Sequence, residues 1–401
     1  MAFQLKNSDW VLETPRGDIK FMDLVRNRSR AFYLYDLDDA LHRARLFMKS
    51  GLGVHYAMKA NSHPRLLAEF AKLGMGADVT SLGELQRALD SGFKPQKVVF
   101  SGVGKDREEL EFALVRKILQ INVESFEELQ LIGEICNELQ IEASIALRLN
   151  IHLTAPTHEY VQTANRNSKF GLEVRQLPEA VIWLKAHPRV KLKALAVHIG
   201  SQIEDISVFA EMGRQIGEIY RSLRGQKFTD LQRLDLGGGL GLDYSANGEA
   251  DFNLLSDYLK VLKGSHGTDA EIILEPGRFL VARMGALLCK VVYVKSTEDQ
   301  DFVILNTGMN SLIRPALYQS FHRIEPVSSN PSAALKKYTV VGPICESADT
   351  FTEGLMMKPL KRGDWVAILD AGAYGAVMAS RYNENPWPEE WSVLNGEVEV
   401  R

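Results

Sequence analysis

Cysteine is scarce. Cys136, Cys289 and Cys345 are the only three in 401 residues, an odd number without paired metal-ligand spacing, which argues against a disulfide framework or a zinc site and predicts reduced thiols. No apolar run is long enough to span a bilayer, and the opening MAFQLKNSDWVLETPRGD lacks the basic-then-apolar order of an export signal; the expected compartment is the cytoplasm, with no membrane partner. Charge of one sign is not in surplus either. The 47 basic and 51 acidic residues leave a formal charge of -4 with no basic block, which argues against capture of nucleic acid. Internal repeats and low-complexity linkers are also missing.

What is present is an ordinary globular composition, 45% hydrophobic and 24% charged, in a chain long enough for two cores or one large barrel with an appendage. From about residue 54 to 280, β-rich runs (VHYAMKA, GADVT, KVVFSG, LQINVES, ASIALRLN, LKALAVHIGSQ, RLDLGGG, EIILEPGR) alternate with longer stretches at helical spacing. Eight such strands predict a (β/α)8, TIM-like barrel over 35–280. An open doubly wound sheet accommodates the same alternation, but no GxGxxG follows the first strand to favour it. After Arg278 the runs ALLCKVVYVKS, DFVILNTG, KYTVVGPIC and DWVAILDAGAYG lack long helical patterns between them, predicting a second, mostly β domain over 281–401. Residues 1–34, with DWVLET and AFYLYD, are expected to add strands to the same sheet. The segment 150–170 is longer than the usual connection and is a candidate functional loop.

In such a barrel, chemistry collects at the C-terminal ends of the strands. Those ends carry Lys59, Asp78, Arg148, His198 with Ser201, the triplet Gly237, Gly238 and Gly239, and Glu275 with Arg278. Each has an ordinary explanation. A lysine after a strand is usually a solvated cap, a histidine on an apolar strand a hydrogen-bonded core residue, a glycine triplet a tight turn, and a glutamate three residues from an arginine an ion pair. One strand count, made from hydrophobic pattern alone, nevertheless brings them to a single rim. A lysine, a glycine-rich turn late in the barrel and a carboxylate suggest a phosphorylated cofactor attached through an amine.

YAMKANS, HIGSQI, LDLGGGLG, EPGR, MNSLIRPALY, CES and AGAYG, in this order from about residue 30 to 383, resemble the fold-type III pyridoxal-phosphate decarboxylases, and among them the diaminopimelate decarboxylase family. The resemblance implies an alanine racemase-like barrel plus β domain, pyridoxal 5'-phosphate as cofactor, an amino-acid substrate and a homodimer with active sites at its interface. Lys59 then holds the cofactor covalently through a buried amine of lowered pKa, and His198 stacks on its ring. Ser201, Gly237, Gly238, Gly239 and Tyr374 contact its phosphate region, with Gly277 and Arg278 nearby. Glu275 faces the ring nitrogen and keeps it protonated.

The resemblance extends to the substrate. Cys345 is the expected proton donor, supplied by the partner subunit, with Glu346 beside it recognising the distal ammonium. Arg278, Arg314, Tyr318 and Tyr374 match substrate-binding positions, the first three for a distal carboxylate, which a planar guanidinium fork suits. The run THEYVQTANRNSKFG points the same way. Decarboxylation of meso-2,6-diaminopimelate to L-lysine and carbon dioxide, the last step of lysine biosynthesis, is the implied reaction. A related decarboxylase of a carboxylated polyamine precursor, a D-amino acid, ornithine or arginine, and a non-catalytic pyridoxal-phosphate carrier, are the alternatives. Two positions depart from the family pattern: Ala348 stands where glycine is frequent, and Asn306 where aspartate is frequent.

Overall fold

Eight short parallel strands form a closed ring: β1 (Gly53–Ala57), β2 (Gly76–Val79), β3 (Val98–Phe100), β4 (Gln120–Val123), β5 (Ala143–Asn150), β6 (Val190–Ala196), β7 (Arg233–Asp235) and β8 (Glu271–Leu274). Each pairs with the next, and β8 returns to β1 through Ile273 against Gly53 and Leu274 against Val54. All eight expected strands are present. The computed structural model describes residues 3–151, 153, 168–245 and 248–401; most of the expected functional loop at 150–170, including nearly all of THEYVQTANRNSKFG, lies outside the described residues.

Local sequence fixes where the helices that follow the strands begin. After β2, Ser81 Oγ accepts the Glu84 N–H, and the Glu84 carboxylate reaches back to the Thr80 N–H at 2.7 Å. After β4, Ser125 and Glu128 repeat the device, with Glu128 on the Glu124 N–H at 2.9 Å. After β3, Asp106 and Glu109 form a reciprocal capping box. A short polar acceptor followed three residues later by glutamate satisfies helix N-terminal N–H groups that would otherwise have no partner. These three strand-to-helix turns are thereby held.

The chain divides into two compact units, one of Ala44–Leu242 and Ala250–Gly277, the other of Met1–Arg43, Asp243–Glu249 and Arg278–Arg401. The first contains the barrel. An expected edge at residue 35 cuts through the strand Phe32–Asp36, which pairs with Gly285–Ser296 and Glu389–Leu394 in the second unit.

The second unit is mostly sheet. Thr350–Met357, Lys336–Val341, Asp301–Leu305, Gly285–Ser296, Phe32–Asp36, Glu389–Leu394 and Glu397–Val400 lie in that order, and Trp365–Ile368 pairs with Gly285–Ser296 and with Ile324–Pro326. Its core contains Phe32, with Trp391 at 4.5 Å and Trp365 at 6.2 Å between ring centroids. DWVLET departs from expectation. Asp9–Leu12 does not join the large sheet as a strand; it pairs with Phe3–Lys6 and Ile19–Lys20 in a small sheet of three, while Trp10 and Leu12 bury their side chains in the same core. Among the described residues, no helix is long and apolar enough to cross a membrane.

Candidate active site

Beyond the strand ends, the barrel opens into a cavity of about 360 Å³ whose walls include Lys59, Asn122, Arg148, His198, Asp235 and Glu275. Ala196, which packs with Ala146 and Ala194 in a buried cluster on β5 and β6, is part of its wall. Strand β1 stops at Ala57, and the tight turn Met58–Ala60 buries its first and last residues, so Lys59 sits just past the strand. Its Nζ lies 3.6 Å from Asp78 Oδ2, and its side chain is 41% exposed. Lys59 is thus placed on the cavity wall, within reach of Asp78.

His198 and the glycine triplet form one interlocked piece. The Gly238 N–H donates to His198 Nδ1 at 3.4 Å. The Ile203 N–H donates to Gly239 O at 2.9 Å, and the Gly241 N–H to Ile203 O at 2.9 Å, so HIGSQI and LDLGGGLG bind each other through their backbones. A Cβ on Gly237 would lie 2.7 Å from both His198 Nδ1 and Val197 O; one on Gly238 would lie 2.3 Å from Glu275 O. The chain's own packing already demands glycine at both positions. Desolvation by the surrounding protein drives the His198 imidazole well below its usual range, helped by Lys59 and Arg148, so the ring is neutral. Ser201 is half-buried in the same turn. A Cβ on Gly277 would lie 3.1 Å from the Cβ atoms of Ala57 and Ala60, which makes that position tight as well.

Glu275 follows β8, 9% exposed, and its Oε1 has no hydrogen-bond partner among the described residues. Burial raises its carboxyl well above the usual range, with further contributions from Asp235 and Asp78. Asp235, hydrogen-bonded to it, is raised to about 6, again chiefly by burial. Asp235 Oδ1 accepts the Gly237 N–H at 3.1 Å, and Oδ2 accepts Gln120 Nε2 at 3.2 Å and Asn122 Nδ2 at 3.3 Å. With three donors on Asp235 and an orphaned oxygen on Glu275, the proton belongs on Glu275. Asp235, Gln120 and Asn122 were not among the expected site residues, although Asp235 belongs to LDLGGGLG. Arg148 pairs with Glu124 at 2.7 Å, and the Gly171 N–H donates to the same carboxylate at 2.9 Å.

The remaining expected residues belong to the second unit and fall into two groups. The first gathers at Tyr244. Arg278 Nη1 donates to the Tyr244 hydroxyl at 3.3 Å and its guanidinium lies 4.8 Å over the Tyr374 ring; the Arg314 guanidinium is 5.3 Å from the Tyr244 ring centre. Tyr318, at the end of the short helix Arg314–Tyr318, is 55% exposed. Arg283 and Arg323 each have Asp370 as an anionic partner at 3.3 Å. Arg314 is 5% exposed and pairs with no carboxylate among the described residues. A buried guanidinium without a counter-ion is costly, and this one is suited to an incoming anion.

The second group is the turn 343–349. Asp349 pins it, accepting the Met309 N–H at 2.6 Å and the Ile344 N–H at 2.7 Å. Cys345 is exposed; its N–H donates to Asn383 Oδ1 at 3.3 Å, and the Tyr382 hydroxyl donates to Glu346. Cys136 and Cys289 are buried, and burial raises both thiols, Cys136 to about 11. Of the two departures, Asn306 has a structural use: its Oδ1 accepts the Lys290 N–H and its Nδ2 donates to Ser29 O, each at 2.9 Å. Aspartate could not make the second bond. Ala348 is exposed, and nothing in the structure explains it.

Residues 36–282 match the family model described as the pyridoxal-dependent decarboxylase, pyridoxal binding domain. A diaminopimelate decarboxylase from Helicobacter pylori strain J99 is 39% identical over 385 residues, 95% of this chain and 94% of the relative. The chain belongs to the diaminopimelate decarboxylase family of pyridoxal-dependent enzymes. The relative from Zymomonas mobilis is 38% identical, with 96% of this chain and 92% of its own length aligned. The crystal structure of diaminopimelate decarboxylase from M. jannaschii in co-complex with L-lysine superimposes with a TM-score of 0.90 at 31% identity, covering 100% of this chain and 94% of that one.

Pyridoxal phosphate is the cofactor of this family, and the barrel fits it. An amine and a neutral imidazole border the cavity, and a buried carboxyl there has an oxygen with no hydrogen-bond partner among the described residues. These are the groups that a pyridine aldehyde can use.

Proposed function

We propose that this enzyme decarboxylates meso-2,6-diaminopimelate to L-lysine and carbon dioxide. The observation that carries the choice of substrate is Arg314, a buried guanidinium that no carboxylate among the described residues neutralises. A substrate with a second carboxylate supplies the missing charge; ornithine and lysine, as substrates, do not. The near-full-length diaminopimelate decarboxylase relatives support the same reading.

The chemistry supplied by bound pyridoxal phosphate is an electron sink for the pair left behind when the carboxylate departs. Lys59 would hold the cofactor through its amine. His198, kept neutral and fixed by the Gly238 N–H, offers a flat uncharged face to the ring. Gly237, Gly238, Gly239, Ser201 and Tyr374 would hold the phosphate region, with Gly277 and Arg278 beside them. Glu275, held in place by Asp235, would keep the ring nitrogen protonated. Arg278, Arg314, Tyr318 and Tyr374 bind the substrate, the arginines by forked hydrogen bonds to the distal carboxylate. Glu346 takes the distal ammonium, and the Cys345 thiol returns a proton to the carbon.

The working assembly is a cytoplasmic homodimer in which each chain lends Cys345 and Glu346 to its partner's site. Exposed Leu317, Tyr318, Phe321, Tyr382 and Trp387 in the unit that carries Cys345 support an interface there. The test is release of carbon dioxide and L-lysine from meso-diaminopimelate by the purified protein, with and without added pyridoxal phosphate, beside ornithine and arginine. Equal or greater turnover of either comparison compound would overturn the reading.

A further inference from the structure

We propose that His322 is a positioning residue for Arg314 and so sets the enzyme's preference for a ligand that carries the distal carboxylate; this rests on the reading of Arg314 given above. Arg314 Nη1 donates to His322 Nε2 at 3.0 Å, and His322 Nδ1 lies 3.0 Å from Leu369 O. A guanidinium can only donate and a backbone carbonyl can only accept. Nε2 is therefore bare and Nδ1 carries the hydrogen, which defines one neutral tautomer.

Neutrality is what the position needs. A carboxylate in place of the imidazole would cancel the charge of Arg314 and occupy its fork, as Asp370 does for Arg283 and Arg323. An imidazolium would repel it. The neutral ring takes one N–H, fixes the plane of the guanidinium and leaves its charge for a ligand. Tyr244 completes the mount, its ring centre 5.3 Å from the guanidinium and 5.9 Å from the imidazole, edge to face with the latter. His322 is 4% exposed, and burial together with Arg314 lowers its pKa to about 3, so the bare nitrogen persists throughout the neutral range.

The signal lay next to a motif already singled out. RPALY ends at Tyr318, and His322 follows four residues later in YQSFH. Nothing in that spacing says that the histidine turns back onto the arginine; the bond to Leu369 O, 47 residues away, orients it.

The experiment measures dissociation constants of L-lysine and of 1,5-diaminopentane, the same chain without a carboxylate, for the holoenzyme and its variants. Losing a hydrogen bond to a charged group changes binding by roughly 10- to 100-fold. His322→Leu is expected to weaken L-lysine by about that factor, to leave 1,5-diaminopentane within about twofold, and to raise KM for diaminopimelate more than it lowers kcat. His322→Gln, which retains an acceptor, is expected to recover most of the selectivity, and His322→Glu, which neutralises Arg314, to lose it. Should His322→Leu not fold, the contrast between Gln and Glu decides. Selectivity unchanged in Leu and Glu, or L-lysine and diaminopentane weakened equally, overturns the proposal. Failure of the unaltered enzyme to form L-lysine from diaminopimelate overturns instead the reading on which it rests.

Discussion

Glu275 and Asp235 are two hydrogen-bonded carboxyl groups, both buried in the barrel, and a bond between two carboxyls needs a proton between them. Both titrate above their usual values. In the unfolded chain each loses its proton near pH 4; in the folded chain Asp235 keeps its proton to about 6 and Glu275 to a higher value. The folded state therefore binds more protons over that interval, and stability falls as pH rises through it. Glu275→Gln keeps the shape without the titration. In the cofactor-free protein it is expected to raise stability at pH 7 by on the order of 1–3 kcal/mol and to flatten stability between about pH 4 and 7, read by urea unfolding at several pH values. Turnover of the holoenzyme should fall by about 100-fold or more. A variant less stable than the parent at pH 7 would contradict the pairing.

Lys59→Ala removes the amine proposed to hold the cofactor. The expected result is loss of the visible absorbance of covalently held cofactor and a fall in turnover of about 1,000-fold or more, with the unfolding midpoint of the cofactor-free protein almost unmoved because the side chain is 41% exposed. A variant that keeps both absorbance and turnover would remove Lys59 from the mechanism.

Gly238→Ala tests whether the triplet, proposed above as a cofactor contact, is also a packing device. The added methyl meets Glu275 O at 2.3 Å, a backbone atom that cannot swing aside, and overpacking of this kind typically destabilises by about 1–3 kcal/mol. Thermal unfolding of the cofactor-free variant reads that loss without any contribution from phosphate binding. An unchanged midpoint would show that the turn can yield.

Asp349→Ala leaves the buried Ile344 N–H and the Met309 N–H without their acceptor. Destabilisation of about 1–3 kcal/mol is expected, together with a changed rate of Cys345 alkylation by iodoacetamide, because the same carboxylate fixes the turn that presents the thiol. Cys136 and Cys289 are buried and remain slow. Alkylation identical to that of the parent would show that the turn holds its shape without Asp349.

The barrel was legible because a strand buried on both sides leaves a dense run of β-formers, and eight runs separated by helical spacing admit few arrangements. Lys59, His198 and Glu275 could be placed for the same reason, since the end of each run marks the end of its strand. The polar net inside the barrel could not. Gln120 and Asn122 sit in LQINVES, an apolar-looking run, and reach Asp235 across 115 and 113 residues; a lone amide in a strand carries no sign of its partner. Arg314 could be named from RPALY, but the neutral acceptor behind it could not, because its orientation is set by the carbonyl of Leu369, 47 residues away and just past the strand Trp365–Ile368.

The pairing of β8 with β1 has a kinetic consequence. Gly53 meets Ile273 across almost the whole barrel sequence, so this contact has one of the longest loop closures in the unit and is expected to form late. Lys59 follows the first of those strands and Glu275 the last. During synthesis, a nascent chain that has not yet released residue 275 has no assembled place for the cofactor, however well its earlier strands have paired. In refolding, the return of cofactor absorbance should lag behind the return of helical signal, and that lag times the closure of the ring.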